Sequence, residues 1–246
     1  MKEWITGRNP VYEVLRAKRR QAFRLLVAKG IKPEGQLPEI LRMAEARRLP
    51  IEEVPRSQLD MLADHHQGIA LEASSYPYAA LEDLLVYSQQ QPEPPFFLLL
   101  DALQDPQNLG SLLRTAEAMG VHGVVLPSRQ AAQITPAVVH ASSGASEHLV
   151  IAQYNLAQAI ARFKQEEVWI YGLDEDPHSR TPQELRFDLG LALVVGNEGT
   201  GMRQLVRQSC DELLRLPMVG KIESLNAAVA GSIALYLARQ ARMQRA

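Results

Sequence analysis

The chain has 246 residues, 46% of them hydrophobic and 22% charged, with 26 Lys/Arg against 28 Asp/Glu. This is ordinary globular composition for one large or two modest domains, and it excludes disordered and fibrous classes. No stretch reaches the roughly 18 apolar residues of a membrane span, and the opening reaches a turn before any apolar run forms, so a cytoplasmic protein is expected. The net charge of −2 is unevenly spread: residues 1–32 hold nine Lys/Arg against Glu3 and Glu13. Such a cluster either faces solvent or contacts the phosphates of a nucleic acid, with Arg8, Arg19, Arg20 and Arg24 as candidate contacts.

In chain order, Asn9 and Pro10 open a short helix, and Phe23–Val27 reads as a strand. An amphipathic helix follows over Leu37–Arg48, then a strand at Ile51–Val54, a helix near Ser57–Ala63 and a strand at Gly68–Ala73. His65-His66 points to opposite faces if extended, and with no acidic or thiol partner close by it reads as surface or satisfied polar histidines. Ser74–Pro95 breaks the pattern with Tyr76-Pro77-Tyr78, a helical candidate at Leu81–Gln89 and the Gln89–Pro95 run. The chain therefore divides into a small α/β domain over 1–75, a linker over 76–95 and a second domain over 96–246.

From Phe96 onward, strands at Phe96–Leu100, Gly123–Leu126, Leu149–Ala152, Val168–Gly172, Leu191–Val195 and Glu212–Leu216 alternate with helices. The helices fall near Leu109–Met119, Leu156–Gln165, Met202–Gln208 and Ala227–Gln244. This alternation predicts a parallel sheet covered on both faces. A single cysteine, Cys210, excludes an intrachain disulfide, and no Cys/His cluster has zinc-site spacing, so no metal is expected.

Three segments carry candidate chemistry. Asp105-Pro106-Gln107-Asn108-Leu109-Gly110 follows a strand, with Asn108 at the expected helix N-cap and Arg114 about two turns inside; capping alone also accounts for these residue types. Gly196-Asn197-Glu198-Gly199-Thr200-Gly201 follows Leu191–Val195, a run apolar enough for a central buried strand; its spacing matches neither the dinucleotide fingerprint nor a P-loop, and a structural turn is the plain alternative. Ser224-Leu225-Asn226 opens a long alanine-rich helix after Leu216-Pro217-Met218 and a short loop containing Gly220, and again one residue suffices as a cap.

The order and chemistry of these segments resemble the three motifs of the SpoU (TrmH-like) RNA 2′-O-ribose methyltransferases. Gly7-Arg8-Asn9-Pro10-Val11, His66-Gln67-Gly68, Thr135-Pro136 and Ser142-Ser143-Gly144-Ala145 extend the likeness, which within the family is nearest to the bacterial 23S rRNA guanosine-2′-O-methyltransferases. The resemblance implies an L30e-like RNA-holding domain followed by a SPOUT domain with a deep trefoil knot, a homodimer with active sites at the subunit interface, and S-adenosylmethionine as cofactor. It assigns catalysis to Asn108, Arg114, Glu198, Ser224 and Asn226. The cofactor falls to Gly196, Asn197, Gly199, Leu216, Met218, Gly220, Ser224 and Leu225, and 23S rRNA becomes the partner. Another RNA site, in tRNA or at the thiopeptide-resistance position of rRNA, is the alternative target; a non-catalytic RNA-binding protein is the alternative class. Ala102 stands where the family usually has glycine, Gln107 where it often has histidine, His140 where a basic residue is common, and Ala227-Ala228 where valine-serine is usual.

Overall fold

A computed structural model describes residues 2–129, 131–197, 199–221 and 224–244. In chain order the elements begin with β1 (Lys2–Thr6), α1 (Arg8–Ala17), β2 (Ala22–Ala28), α2 (Leu37–Ala46), β3 (Ile51–Val54), α3 (Arg56–Asp60), β4 (Ile69–Ser74) and α4 (Leu81–Gln89). They continue with β5 (Phe96–Leu100), α5 (Pro106–Ala118), β6 (Gly123–Leu126), α6 (Pro136–Ala141), β7 (Ile151–Gln153), α7 (Leu156–Gln165), β8 (Trp169–Leu173), β9 (Leu191–Val195), α8 (Gln204–Ser209), β10 (Glu212–Leu214) and α9 (Ala227–Met243). The chain separates into two units. The first runs to Pro77 and also takes in Gln133–His148; the second comprises Tyr78–Ala132 and the chain from Leu149 onward.

The first unit is a four-stranded sheet of order β1-β4-β2-β3, antiparallel except for the parallel β2–β3 pair. Leu26, Ala28, Val54, Leu59 and Ala70 form part of its core. Strand β1 was not expected: Lys2-Glu3-Trp4-Ile5-Thr6 is too short and polar to show a period, and it gains its extended form by pairing with β4, Trp4 opposite Glu72. Helix α6 and the 3-10 turn at Ala145–His148 belong to this unit, an excursion that a boundary drawn from composition does not anticipate. Its anchor is Glu147, whose carboxylate accepts from Arg20 Nε and Nη2 at 2.9–3.1 Å while Arg20 Nη1 reaches Glu3 at 2.9 Å. The Arg20 and Glu147 side chains are 0% and 1% exposed, and removing one partner from such a pair costs about 3–5 kcal/mol because the other charge stays buried.

The second unit is a six-stranded, wholly parallel sheet of order β10-β8-β9-β5-β6-β7. Strands β5 and β9 lie side by side in its middle and are buried at every residue, which is why they read as unbroken apolar runs. Phe97 stacks on Phe163 of α7 at 4.5 Å between ring centroids. Helix α4, which falls in the stretch expected as a linker, is part of this core through Leu81, Leu84 and Leu85. Gly123 permits that contact, since a Cβ there would stand 2.6 Å from Leu84 Cγ. From β5 the chain passes through α5 to β6 on one side, while β9 leads through α8 to β10 at the far edge on the other. Loops that diverge in this way from adjacent parallel strands leave a crevice at the strands' carboxyl ends.

Helix α9 closes the unit. Arg242 near its end is buried and donates to the carbonyls of Pro94 at 2.7 Å, Pro95 at 2.9 Å and Leu189 at 2.6 Å. Beside it the buried His122 accepts from Phe96 N at Nδ1, 3.2 Å. Burial, aided by Arg242 and Arg239 against the opposing Glu93, lowers the His122 pKa from 6.5 to about 4. Between those values the unfolded chain takes up a proton that the folded chain refuses, so stability falls as pH falls through that window. The urea midpoint is therefore expected to drop from neutral pH to about pH 4 more steeply in the parent than in His122→Asn, which keeps an acceptor but cannot charge; equal slopes would contradict this account.

Candidate functional site

The site is built where β5, β9 and β10 end. After β9 the backbone folds back on itself: Asn197 N donates to Gly201 O and Gly201 N to Asn197 O, both at 3.0 Å. The Asn197 side chain braces this loop, its Nδ2 donating to Ala102 O at 2.9 Å and its Oδ1 accepting from Gly199 N at 2.9 Å. Gly196 must lack a side chain, because a Cβ would stand 2.4 Å from both Gly201 C and Met202 N. Asp101, fully buried at the end of β5, accepts from Arg203 N and Arg203 Nε at 2.7 Å each and so ties the outgoing chain to the neighbouring strand. Ala102, the first departure from the family pattern, takes φ +63, a left-handed conformation that costs an alanine about 1–2 kcal/mol more than a glycine.

The first helix starts earlier than expected: Asp105, not Asn108, is the N-cap of α5, its Oδ1 accepting from Gln107 N at 3.0 Å. Pro106 takes the first helical position, where no backbone donor is needed, and Asn108 becomes the third residue of the helix. Asn226 does cap α9, its Oδ1 accepting from Ala228 N at 2.9 Å and Val229 N at 3.2 Å. Its Nδ2 then donates to Asn108 Oδ1 at 3.1 Å, so one side chain organises the start of one helix and holds the other. Further along, Thr115 and Ser232 share a 2.9 Å hydrogen bond, and Gly231 lets α9 approach Leu112 and Val195.

A cavity of about 590 Å³ opens between the loops after β8, β9 and β10. Of the residues expected at a cofactor, Gly196, Asn197, Gly199, Leu216, Met218, Ser224 and Leu225 line it; Gly220 does not. Of those expected in catalysis, Ser224 lines it, Asn226 and Asn108 are bonded to each other at its edge of the sheet, and Arg114 lies on an exposed face of α5 outside the lining. Glu198 lies outside the described residues. The lining also contains charged groups that motif spacing did not single out: Asp174 and Glu175 after β8, Arg207 of α8 and Arg215 after β10. For Asp174, Glu175 and Arg215 the one signal in sequence is position just past a strand, and Arg207, within α8, has none. Arg207 is committed to carboxylates, with Nε 2.7 Å from Asp174 Oδ2 and Nη2 2.9 Å from Asp176 Oδ2. Burial pushes the Cys210 thiol up to about 12, so it stays a neutral packing group. No cluster of His, Cys, Asp or Glu among the described residues could hold a metal ion.

The four arginines expected on RNA have different environments. Arg20 is consumed by the buried ion pair with Glu147 and Glu3, so a structural role replaces the expected phosphate contact. Arg24 lies between Glu72 at 2.9 Å and Glu52 at 3.5 Å, and Arg19 donates to Tyr76 Oη at 2.8 Å. Arg8 sits at the start of α1. The buried His66 does have an acidic partner, Asp60 six residues earlier, which adjacent-residue reading missed.

Comparison with known proteins places this geometry in context. The model of the SpoU rRNA methylase family matches residues 95–236, and one described as RNA 2′-O ribose methyltransferase substrate binding matches residues 4–79. YacO of Bacillus subtilis (strain 168), named as a TrmH family tRNA/rRNA methyltransferase, is 40% identical over 236 residues, spanning 95% of this chain and 94% of that protein. A protein of the same description from Staphylococcus aureus (strain MSSA476) is 40% identical over 234 residues, 94% and 93% of the two chains. Among solved structures, the SpoU methyltransferase AviRb from Streptomyces viridochromogenes, in complex with AdoMet, has a TM-score of 0.82 at 23% identity, covering 98% of this chain and 91% of that one. The AdoMet-bound rRNA methyltransferase from Sinorhizobium meliloti gives 0.80 at 24% identity, covering 97% and 87%.

The close approach at Gly196 yields a test. Gly196→Ala forces the loop away by overpacking of about 1–3 kcal/mol, which for a chain of this length is expected to lower the thermal midpoint by about 2–12 °C. An unchanged midpoint in calorimetry would show that the loop does not cross the strand end as described.

Proposed function

Because this chain belongs to the SpoU rRNA methylase family, we propose that it uses S-adenosylmethionine to methylate a ribose 2′-oxygen in RNA, and more narrowly a guanosine of 23S rRNA in the peptidyl-transferase P-loop. The observation that carries this reading is the cavity of about 590 Å³ at the carboxyl ends of β8, β9 and β10. It lies in the size range of small-molecule sites. Apolar walls from Leu173, Val195, Leu214 and Leu216 suit a purine ring, and Glu175 and Arg215, beside the mutually paired Asp174 and Arg207, supply both signs of charge for a group that carries a sulfonium and an amino-acid zwitterion. When bound, S-adenosylmethionine supplies a methyl group already activated toward in-line attack.

The backbone around Gly196, Leu216 and Leu225 cradles the adenosyl part, and Gly199, Met218 and Ser224 complete the rim. Asn197 acts on the cofactor indirectly, by fixing the loop. The RNA ribose must be brought into line with the methyl, which needs positioning and charge stabilisation more than a metal. Arg114 fills the second need. A guanidinium with a pKa above about 12 is a poor base, so its part is to stabilise developing charge on the 2′-oxygen while bridging to an RNA phosphate. Asn226 has its Oδ1 occupied by capping and its Nδ2 on Asn108, so this pair acts by holding α5, and with it Arg114, in register with Ser224. Glu198, outside the described residues, is the one carboxylate of the set.

The first unit, matched by the substrate-binding model, holds the RNA. Relatives named for tRNA and rRNA alike favour another RNA site as the second reading. The return of the chain from β10 at the sheet edge to α9 against β9 and α5 supports a knotted carboxyl-terminal passage. Helix α9 also presents Val229, Ile233, Tyr236 and Met243 outward at 48%, 39%, 56% and 70% exposure, a second apolar stripe at helical spacing opposite its packed face. A second copy of this chain covers that stripe, and since Asn226 caps the start of α9 the contact lies beside the site. No helix among the described residues is long and apolar enough to cross a membrane, which fits the cytoplasmic location of an RNA-modifying enzyme.

Arg114→Ala is expected to lower kcat by about two orders of magnitude, the loss typical of one charge-stabilising donor, while calorimetric affinity for S-adenosylmethionine stays within about threefold. Loss of cofactor binding in this variant would contradict the role. Sedimentation velocity is expected to show a dimer for the parent and a monomer for Tyr236→Glu; a monomeric parent at micromolar concentration would remove the dimer.

A further inference from the structure

The first unit contains a concave site of its own. A cavity of about 560 Å³ opens at the start of α1, lined by Arg8, Asn9, Ile31, Gln36, Arg56 and Gln67 beside Gly35. Two arginines and no carboxylate are among its lining residues, so its potential favours an anion. The α1 N-terminus adds to this: its cap residue Gly7, at φ +92, has no side chain to offer, no acidic residue stands in the first turn, and of the first N–H groups that of Arg8 is taken by Gln67 Oε1. Two lining residues hold buried polar atoms that find no hydrogen-bond partner, Arg8 Nε and Gln36 Oε1. A buried donor and a buried acceptor left open together are costly to a folded chain, and a ligand that offers the complement of both satisfies them.

The walls are held by contacts that do not involve a ligand. Gln67, at φ +51, accepts from Arg8 N through Oε1 at 2.8 Å. His66, 1% exposed, fixes that turn: Nδ1 accepts from Gly68 N at 2.9 Å, which leaves the Nε2 proton to donate to Asp60 Oδ1 at 2.8 Å. Gly68 packs so closely on Ile31 that a Cβ would stand 2.3 Å from its Cδ1. Arg8 itself is steadied by donation from Nη1 to Glu34 O at 2.6 Å.

We propose that this cavity takes one unstacked nucleotide of the substrate RNA, with its phosphate against Arg8 and Arg56 at the α1 N-terminus and its base edge against the amides of Gln36 and Gln67. The proposal rests on the reading of the protein as an RNA methyltransferase. It also separates Arg8 from Arg20 and Arg24, which the folded unit commits to carboxylates. A single-stranded or bulged nucleotide suits such a site better than a duplex, whose bases are not free to be read on their edges.

The test uses the full chain and 23S rRNA transcribed in vitro with 4-thiouridine. Filter retention is expected to show Arg56→Glu weakening RNA binding by about tenfold or more, Arg56→Lys recovering part of the loss and Gln36→Leu weakening it severalfold, with S-adenosylmethionine affinity unchanged in all three. In turnover the loss is expected in KM rather than kcat. Photocrosslinks should map to the peptides carrying Arg8, Gln36, Arg56 or Gln67. RNA binding unchanged in Arg56→Glu, or crosslinks in this unit that avoid those peptides, would overturn the proposal. Because retention and crosslinking do not need turnover, a parent that binds the RNA through this cavity but methylates none would sink the enzymatic reading and leave the pocket standing.

Discussion

A carbon atom on residue 196 would lie 2.4 Å from the backbone of Gly201 and Met202, and the site in the second unit is organised around that crossing. The chain can turn back across the end of its own strand only if nothing projects there. Once it does, Asn197 reaches Ala102 on the neighbouring loop and Arg203 is delivered to the buried Asp101. Two central strands that share no connecting loop are thereby locked together at their carboxyl ends. That lock sets one wall of the cavity, and the Asn226–Asn108 hydrogen bond sets the relation of the two helices beside it. Positioning by backbone and short polar side chains is what a methyl transfer from an activated donor requires, since alignment rather than acid–base power limits it.

The central strands were legible in the sequence because burial on both faces demands five consecutive apolar residues, as in Phe96–Leu100 and Leu191–Val195. The three motif loops were legible because glycine and asparagine in such turns have backbone reasons to be there. What pattern alone did not reveal depends on partners distant in the chain. Leu81–Gln89 was visible as a helix, yet its inclusion in the core of the second unit depends on the absence of a side chain at Gly123. Strand β1 exists because β4, about seventy residues away, supplies its pairing.

The basic cluster shows the same limit in electrostatic terms. Counting charges over residues 1–32 treats nine cations as equivalent, but Glu72 and Glu147 are supplied from β4 and from the Gln133–His148 excursion. Arg20 becomes a buried structural group, whereas Arg8 remains at a cavity edge with a donor atom unsatisfied. Likewise the role of Asn108 as a partner of Asn226, instead of a cap, follows from Asp105 and Pro106 having taken the first helical positions. In each case the residue type was informative and its use was decided by geometry.

The central claim is methylation of an RNA ribose, and its most direct test is transfer of labelled methyl from S-adenosylmethionine to 23S rRNA isolated from cells that lack the modification, mapped by resistance to alkaline cleavage. The account predicts one 2′-O-methylguanosine in the peptidyl-transferase P-loop. A methyl on another ribose would contradict the target and keep the chemistry; transfer to a base, or to no RNA while the cofactor is bound, would contradict the claim itself.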